Sequence, residues 1–166
     1  VREYGLLLPG EILDKTRELI VQELSKNNEQ VNDGMDISLC AWNKATHQLH
    51  WSGANNPLWI IRQYGELEEI KPLKQPIGKY DNYTKFPTNE LQYQSGDLLY
   101  LFTDGYSDQF GGETGKKFKS KNFKRLLESI ATMEMDQQKE ELLNMFYSWK
   151  GSLEQVDDIC IIGLKM

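Results

Sequence analysis

The chain has 166 residues, 39% hydrophobic and 27% charged, with 19 basic against 25 acidic side chains and a net charge of −6. That length is enough for one domain with its own core, and the acidic balance leaves no electrostatic footprint for nucleic acid. No apolar run approaches the ~20 residues of a membrane span, and Leu6-Leu7-Leu8 is too short for the core of a signal peptide.

The first element is an amphipathic helix over Pro9 to Ser25, with Ile12, Leu13, Thr16, Leu19, Ile20 and Leu24 on one face and Pro9 in the first turn. The polar stretch from Lys26 to Gly34 breaks that period. From Met35 to Phe102 the texture is β. Ile37 to Asn43 and Gln48 to Gly53 read as short strands. "LWIIRQYGELEEI" reads as a hairpin turning at Tyr64-Gly65, and "ELQYQSGDLLYLFTDG" as a second one turning at Ser95-Gly96-Asp97. Connections this short favour antiparallel pairing of six strands. Helices follow over Asn122 to Ala131 and Asp136 to Trp149. The continuous apolar run Ile159 to Leu164 predicts a last strand buried on both faces. Cys40 and Cys160 lie inside strand-like runs and read as two buried, reduced thiols. Strands inside and helices outside make this an α+β layered fold.

Chemistry gathers at two strand ends. Leu98 to Phe102 runs into Asp104, and Asp157-Asp158 runs into the last strand. If those strands are neighbours, the carboxylates meet at one sheet edge, where their repulsion calls for a cation. A hard divalent ion with oxygen ligands, Mg²⁺ or Mn²⁺, is the economical answer. On this reading Gly105 permits a sharp turn that aims Asp104 outward. Solvated turns would show the same spacing.

The blocks "DGMDISLCAWN", "GANNP", "QPIG", "GDLLYLFTDGYSDQFG" and "EQVDDICIIGL" follow in the order seen in SpoIIE-type serine/threonine phosphatases, a bacterial branch of the PPM (protein phosphatase 2C-like) family, and the chain resembles the second half of their catalytic domain. The resemblance implies an αββα sandwich of two mostly antiparallel sheets flanked by helices, a site holding two Mn²⁺ or Mg²⁺ ions, and hydrolysis of phosphoserine or phosphothreonine without a covalent intermediate. Asp104 and Asp157 then match metal-ligating aspartates, with Asp158 beside them and Asp108 at a further, weaker metal position. Asn55 and Asn56 sit in the "GANNP" loop, where a turn role and a substrate-side role both stay open.

The family's upstream "GD" block has no counterpart in these residues. The expectation is therefore one partial domain over residues 1–166, its N-terminal strands missing, inactive alone and with unpaired edges that invite a homodimer. The implied substrate is a phosphorylated regulatory protein such as an anti-sigma-factor antagonist, under an upstream sensor module and in the cytoplasm. The alternative is a non-catalytic interaction domain that retains the fold. Asp33 reads as part of a strand-entry turn. His47 and His50 point to opposite faces of a strand and so share no zinc. The four tryptophans read as packing residues.

Overall fold

The computed structural model describes residues 3–26, 34–63, 65 and 67–166. Asp33 and Tyr64 lie outside them. In chain order the elements are α1 (Pro9–Lys26), β1 (Gly34–Met35), β2 (Ile37–Asn43), β3 (Gln48–Ala54), β4 (Leu58–Ile61), β5 (Leu67–Ile70), β6 (Ile77–Gly78), β7 (Asn89–Gln92) and β8 (Leu98–Phe102). Then come α2 (Gly105–Asp108), β9 (Phe110–Gly111), β10 (Lys116–Lys117), α3 (Ser120–Ile130), α4 (Met135–Lys150) and β11 (Ile161–Lys165). They fall into two units interleaved in sequence: Val1–Leu58 with Ile70–Tyr93, and Trp59–Glu69 with Gln94–Met166.

The first unit carries the three-stranded sheet β2-β3-β7, antiparallel throughout, and the short pair β1-β6. The β2–β3 turn forms because the Asn43 side-chain oxygen accepts the N–H groups of Ala45 and Thr46, a local bond that competes with strand continuation. His47 closes it in the left-handed region at φ 53°. His50 lies near Glu90 on β7 while the His47 ring sits against Tyr93, so the two imidazoles have different neighbours. Helix α1 buries Leu13 in a cluster with Ala54, Ile77 and Phe86, and Ile20 packs against the same cluster. Polar contacts add to this docking. Asp14 accepts the backbone N–H of Phe86 at 3.0 Å and the Tyr83 hydroxyl, and the Arg17 guanidinium lies 3.7 Å over the Tyr83 ring.

The second unit carries the sheet β11-β8-β4-β5 and the helices α2, α3 and α4. β8 is buried at all five positions because it lies between β11 and β4. Trp59, Tyr100, Phe102, Phe123, Leu127 and Phe146 form the centre of its core. The tryptophans divide as packing residues: Trp51 and Trp59 are buried, Trp149 lies against Gly111 and Gly112, and Trp42 is partly exposed beneath Lys44.

Two expectations are corrected. The Ser95-Gly96-Asp97 turn exists, with Gly96 at φ 93°, but the strands around it are not a hairpin: β7 pairs with β3 and β8 with β11 and β4. The buried Asp97 carboxylate explains the departure. It accepts from the N–H groups of Gln94 and Gln63 and from the Arg62 guanidinium, which commits the chain after Tyr93 to the second sheet. The last strand is likewise not buried on both faces. β11 is an edge strand in this sheet, half-buried where α4 covers it and open at Ile162, which is 50% exposed. An apolar run cannot by itself tell an edge from a centre.

Candidate functional site

β8 and β11 are antiparallel neighbours, with Ile161 opposite Phe102. Beyond that pair the ladder continues through Thr103. Its N–H donates to the Cys160 carbonyl at 3.0 Å, its hydroxyl donates to the Asp158 carbonyl at 3.0 Å, and the same hydroxyl accepts the Cys160 N–H at 3.0 Å. One threonine thus holds the Asp157-Asp158 loop beside the end of β8, and the predicted meeting of the two strand ends is present in the backbone.

Asp104 is exposed and occupies the N-cap position of α2, but its side chain makes no capping bond. Its carbonyl accepts the Asp108 N–H and the Ser107 hydroxyl, both at 2.9 Å. Gly105 has no positive φ, so the conformational freedom expected of it is not what excludes a side chain there. A Cβ on Gly105 would meet the Asp158 carbonyl oxygen at 2.5 Å. The glycine is required by close approach of two backbones, which is the second use of this residue type.

Asp157 and Asp158 are exposed, and one Asp157 carboxylate oxygen accepts the Asp158 N–H at 2.7 Å. Asp108 is paired with Lys117 at 2.7 Å. Among the described residues no group of three or more His, Cys, Asp or Glu side chains is placed to hold a metal ion. The all-oxygen chemistry of Asp104, Asp157 and Asp158 suits a hard divalent cation, and the backbone brings them to one sheet end. They do not enclose an ion by themselves.

Sequence reasoning missed Gln109, which is fully buried directly after α2. Its amide donates to the carbonyls of Phe110 and Glu154, each at 2.9 Å, and accepts the Val156 N–H at 3.3 Å. Its own carbonyl accepts the Trp149 indole N–H and the Phe118 N–H. This side chain ties the approach to Asp157 to the element that begins at Asp104. A glutamine in a polar turn carries no pattern that announces burial. Below it, Tyr106 donates to the Leu142 carbonyl and Tyr100 to the Gln138 side chain. Burial pushes the Tyr100 phenol up to about 12 and Tyr106 higher still, so both remain protonated donors.

The "GANNP" loop belongs to the first unit. Asn55 takes φ 59°, its N–H donates to the Leu73 carbonyl at 3.0 Å, and its side-chain amide donates to Asp36 at 2.8 Å. Asn56 donates its N–H to the Ala54 carbonyl at 2.7 Å. Both asparagines therefore have a turn-forming role in the fold.

The family model of stage II sporulation protein E (SpoIIE) matches residues 3–166. The chain belongs to the SpoIIE family. Among solved structures, this SpoIIE-family chain is similar to the SiaA-PP2C domain of Pseudomonas aeruginosa, with a TM-score of 0.89 and 28% identity over 99% of this chain and 63% of that one. It also resembles the SpoIIE phosphatase domain of Bacillus subtilis presoaked with Mn (TM-score 0.62, 16% identity, 94% of this chain and 70% of that one). A third likeness is to the RsbU and RsbW domains of Rv1364c from Mycobacterium tuberculosis (TM-score 0.66, 16% identity, 92% and 45%). The last two show the fold alone. No curated protein sequence matches the chain. The α+β architecture of antiparallel sheets and helices agrees with the PP2C-like fold, of which the chain spans about two thirds, 63% of the SiaA structure. Among the described residues no helix is long and apolar enough to cross a membrane.

Proposed function

We propose that this SpoIIE-family chain supplies part of the centre of a metal-dependent serine/threonine phosphatase acting on a phosphorylated regulatory protein. The observation that carries the reading is the Thr103 bridge, which places the Asp157-Asp158 loop against the end of β8 that bears Asp104. Family membership and the likeness to the SiaA domain support it, and the Mn-presoaked relative supports a divalent cation.

Asp104 and Asp157 are the assigned carboxylate ligands, with Asp158 beside them. Asp108 would join from its pair with Lys117, which holds one of its two carboxylate oxygens at 2.7 Å. Further ligands must complete the set, so the 166 residues alone should hydrolyse phosphoesters weakly. When bound, Mn²⁺ or Mg²⁺ ions would acidify a water nucleophile and neutralise charge on the phosphoryl oxygens. Thr103 and Gly105 hold the carboxylate-bearing segments in register, Gln109 holds the approach to Asp157, and the exposure of Asp104 suits a phosphate presented on a protein surface. A phosphorylated anti-sigma-factor antagonist as substrate, control by a sensor module in the same polypeptide, and a cytoplasmic setting complete the proposal.

The test is Mn²⁺-dependent phosphate release from a phosphoserine protein by a polypeptide spanning the full length of the SiaA-like domain, with Asp104→Asn as the control. The expected result is turnover that falls at least about 100-fold in the variant. Undiminished turnover in Asp104→Asn, or none with Mn²⁺ or Mg²⁺ in the folded wild type, overturns the proposal; the latter result favours the non-catalytic interaction domain.

A further inference from the structure

Within an acidic chain, residues 115–125 ("GKKFKSKNFKR") hold six basic side chains and no acidic one. Two of these are engaged. Lys117 pairs with Asp108, and Lys124 pairs with Glu69 and lies over the Trp59 ring. Lys116, Lys119, Lys121 and Arg125 are exposed and have no carboxylate partner among the described residues. The segment is tied beside the candidate centre: the Phe118 N–H donates to the Gln109 carbonyl at 2.9 Å and the Lys119 N–H to the Ser107 carbonyl at 2.7 Å, one turn from Asp104.

The lysines sit where local physics disfavours them. α3 begins at Ser120 with Lys119 as its N-cap at φ 73°, makes no side-chain capping bond, and has no acid in its first turn. A helix N-terminus prefers carboxylates, and cations there are unfavourable. A local rule broken at an exposed site, next to residues assigned to chemistry, marks a functional demand rather than a stability device.

We infer that this basic face, from β10 to the second turn of α3, is the docking surface for an acidic face of the phosphorylated protein substrate. The inference rests on the phosphatase reading for the phosphate, and on the basic face alone for the acidic flank. Charge complementarity of this kind steers encounter and fixes orientation. Within the segment Phe118 and Phe123 are buried, and the neighbouring Phe110, 40% exposed opposite Lys117, is a single ring with that lysine 5.9 Å over it, short of the row of aromatics on which single-stranded nucleic acid stacks. The apolar side of α3 is spent on the core, with Phe123, Leu127 and Ile130 buried, so it offers nothing to insert into a membrane. A folded or extended acidic protein surface remains the fitting partner.

The test needs no turnover. Fluorescence anisotropy of the chain in EDTA, with labelled phosphoserine peptides flanked by glutamates or by lysines, should show the glutamate-flanked peptide binding at least about tenfold tighter. The combined variant Lys116→Glu, Lys121→Glu and Arg125→Glu should erase that preference, and the glutamine versions of the same three sites should reduce it partway. Equal affinity for both peptides, or a preference that survives charge reversal in a variant with wild-type circular dichroism, overturns the inference. Displacement of the bound peptide by poly(U) or by phosphatidylserine vesicles at comparable concentration also overturns it. p-Nitrophenyl phosphate turnover by the full-length domain, which should be unchanged in the triple variant, reports separately on the phosphatase reading.

Discussion

Replacing Gly105 with alanine sets two local effects against each other. Gly105 opens a helical turn without positive φ, and alanine in such a position ordinarily gains up to about 1 kcal/mol through helix propensity and a less flexible unfolded chain. Here the new Cβ would lie 2.5 Å from the Asp158 carbonyl oxygen and 3.1 Å from its carbon. To reach even the shortest contact real Cβ atoms show, 3.0 Å, the Asp158 backbone must retreat by about 0.5 Å. That carbonyl is the acceptor of the Thr103 hydroxyl at 3.0 Å, and Thr103 also anchors Cys160, so retreat loosens the ladder between β8 and the start of β11. Overpacking against backbone costs about 1–3 kcal/mol and a weakened hydrogen bond about 1 kcal/mol. The clash should therefore win by about 1–3 kcal/mol. At about 2–4 °C per kcal/mol for a chain of this size, thermal unfolding should shift down by roughly 2–12 °C. Hydrogen exchange should accelerate at Asp158 to Cys160. A midpoint that holds or rises in Gly105→Ala would refute the close-approach account and return the glycine to an ordinary turn.

Gln109→Leu keeps the volume but removes three side-chain hydrogen bonds. Since Glu154 and Val156 are exposed and can turn to water, the loss should be about 2 kcal/mol, read as a lower urea midpoint with faster exchange confined to residues 154–158; unchanged exchange there would exclude a positioning role. Cys160 is exposed, against the expectation of two buried thiols, because it leads into a strand at the sheet edge, whereas burial pushes the Cys40 thiol up to about 12, so a thiol reagent at pH 8 should modify Cys160 at once and Cys40 only on unfolding; equal rates would contradict this. Alkaline stability follows from the same cause. Cys40, Tyr83 and Tyr100 keep their protons to about 12 in the folded chain, while the unfolded groups release theirs near 9 or 10. The unfolded state then binds fewer protons, so their contribution to stability is whole below pH 9 and declines as pH rises toward 12; urea midpoints constant from pH 8 to 11 would refute it.

Much of the second unit was legible from local pattern. The helices α3 and α4 appear within one or two residues of the spans expected from their apolar period, and the buried run Leu98 to Phe102 is the strand it reads as. α1 was legible in span yet misleading in weight, because several of its apolar face residues stay partly exposed and Asp14 and Arg17 add polar contacts to the packing of Leu13 and Ile20. The pairing of β8 was not legible. Its turn has hairpin chemistry, and only the buried Asp97 with its partners Arg62 and Gln63 shows that the chain is changing sheets.

The candidate site divides in the same way. Residue type and order along the chain, which are local properties, determined that carboxylates stand at two strand ends and which blocks mark the SpoIIE family. Tertiary structure alone decided that β11 is a neighbour of β8 but lies at an edge, that Gly105 serves close approach, that Gln109 is buried, and that Asp108 is held by Lys117. Each of these depends on which distant segment lies within a few ångströms. Periodicity reports the face a residue presents, but not what is packed against it.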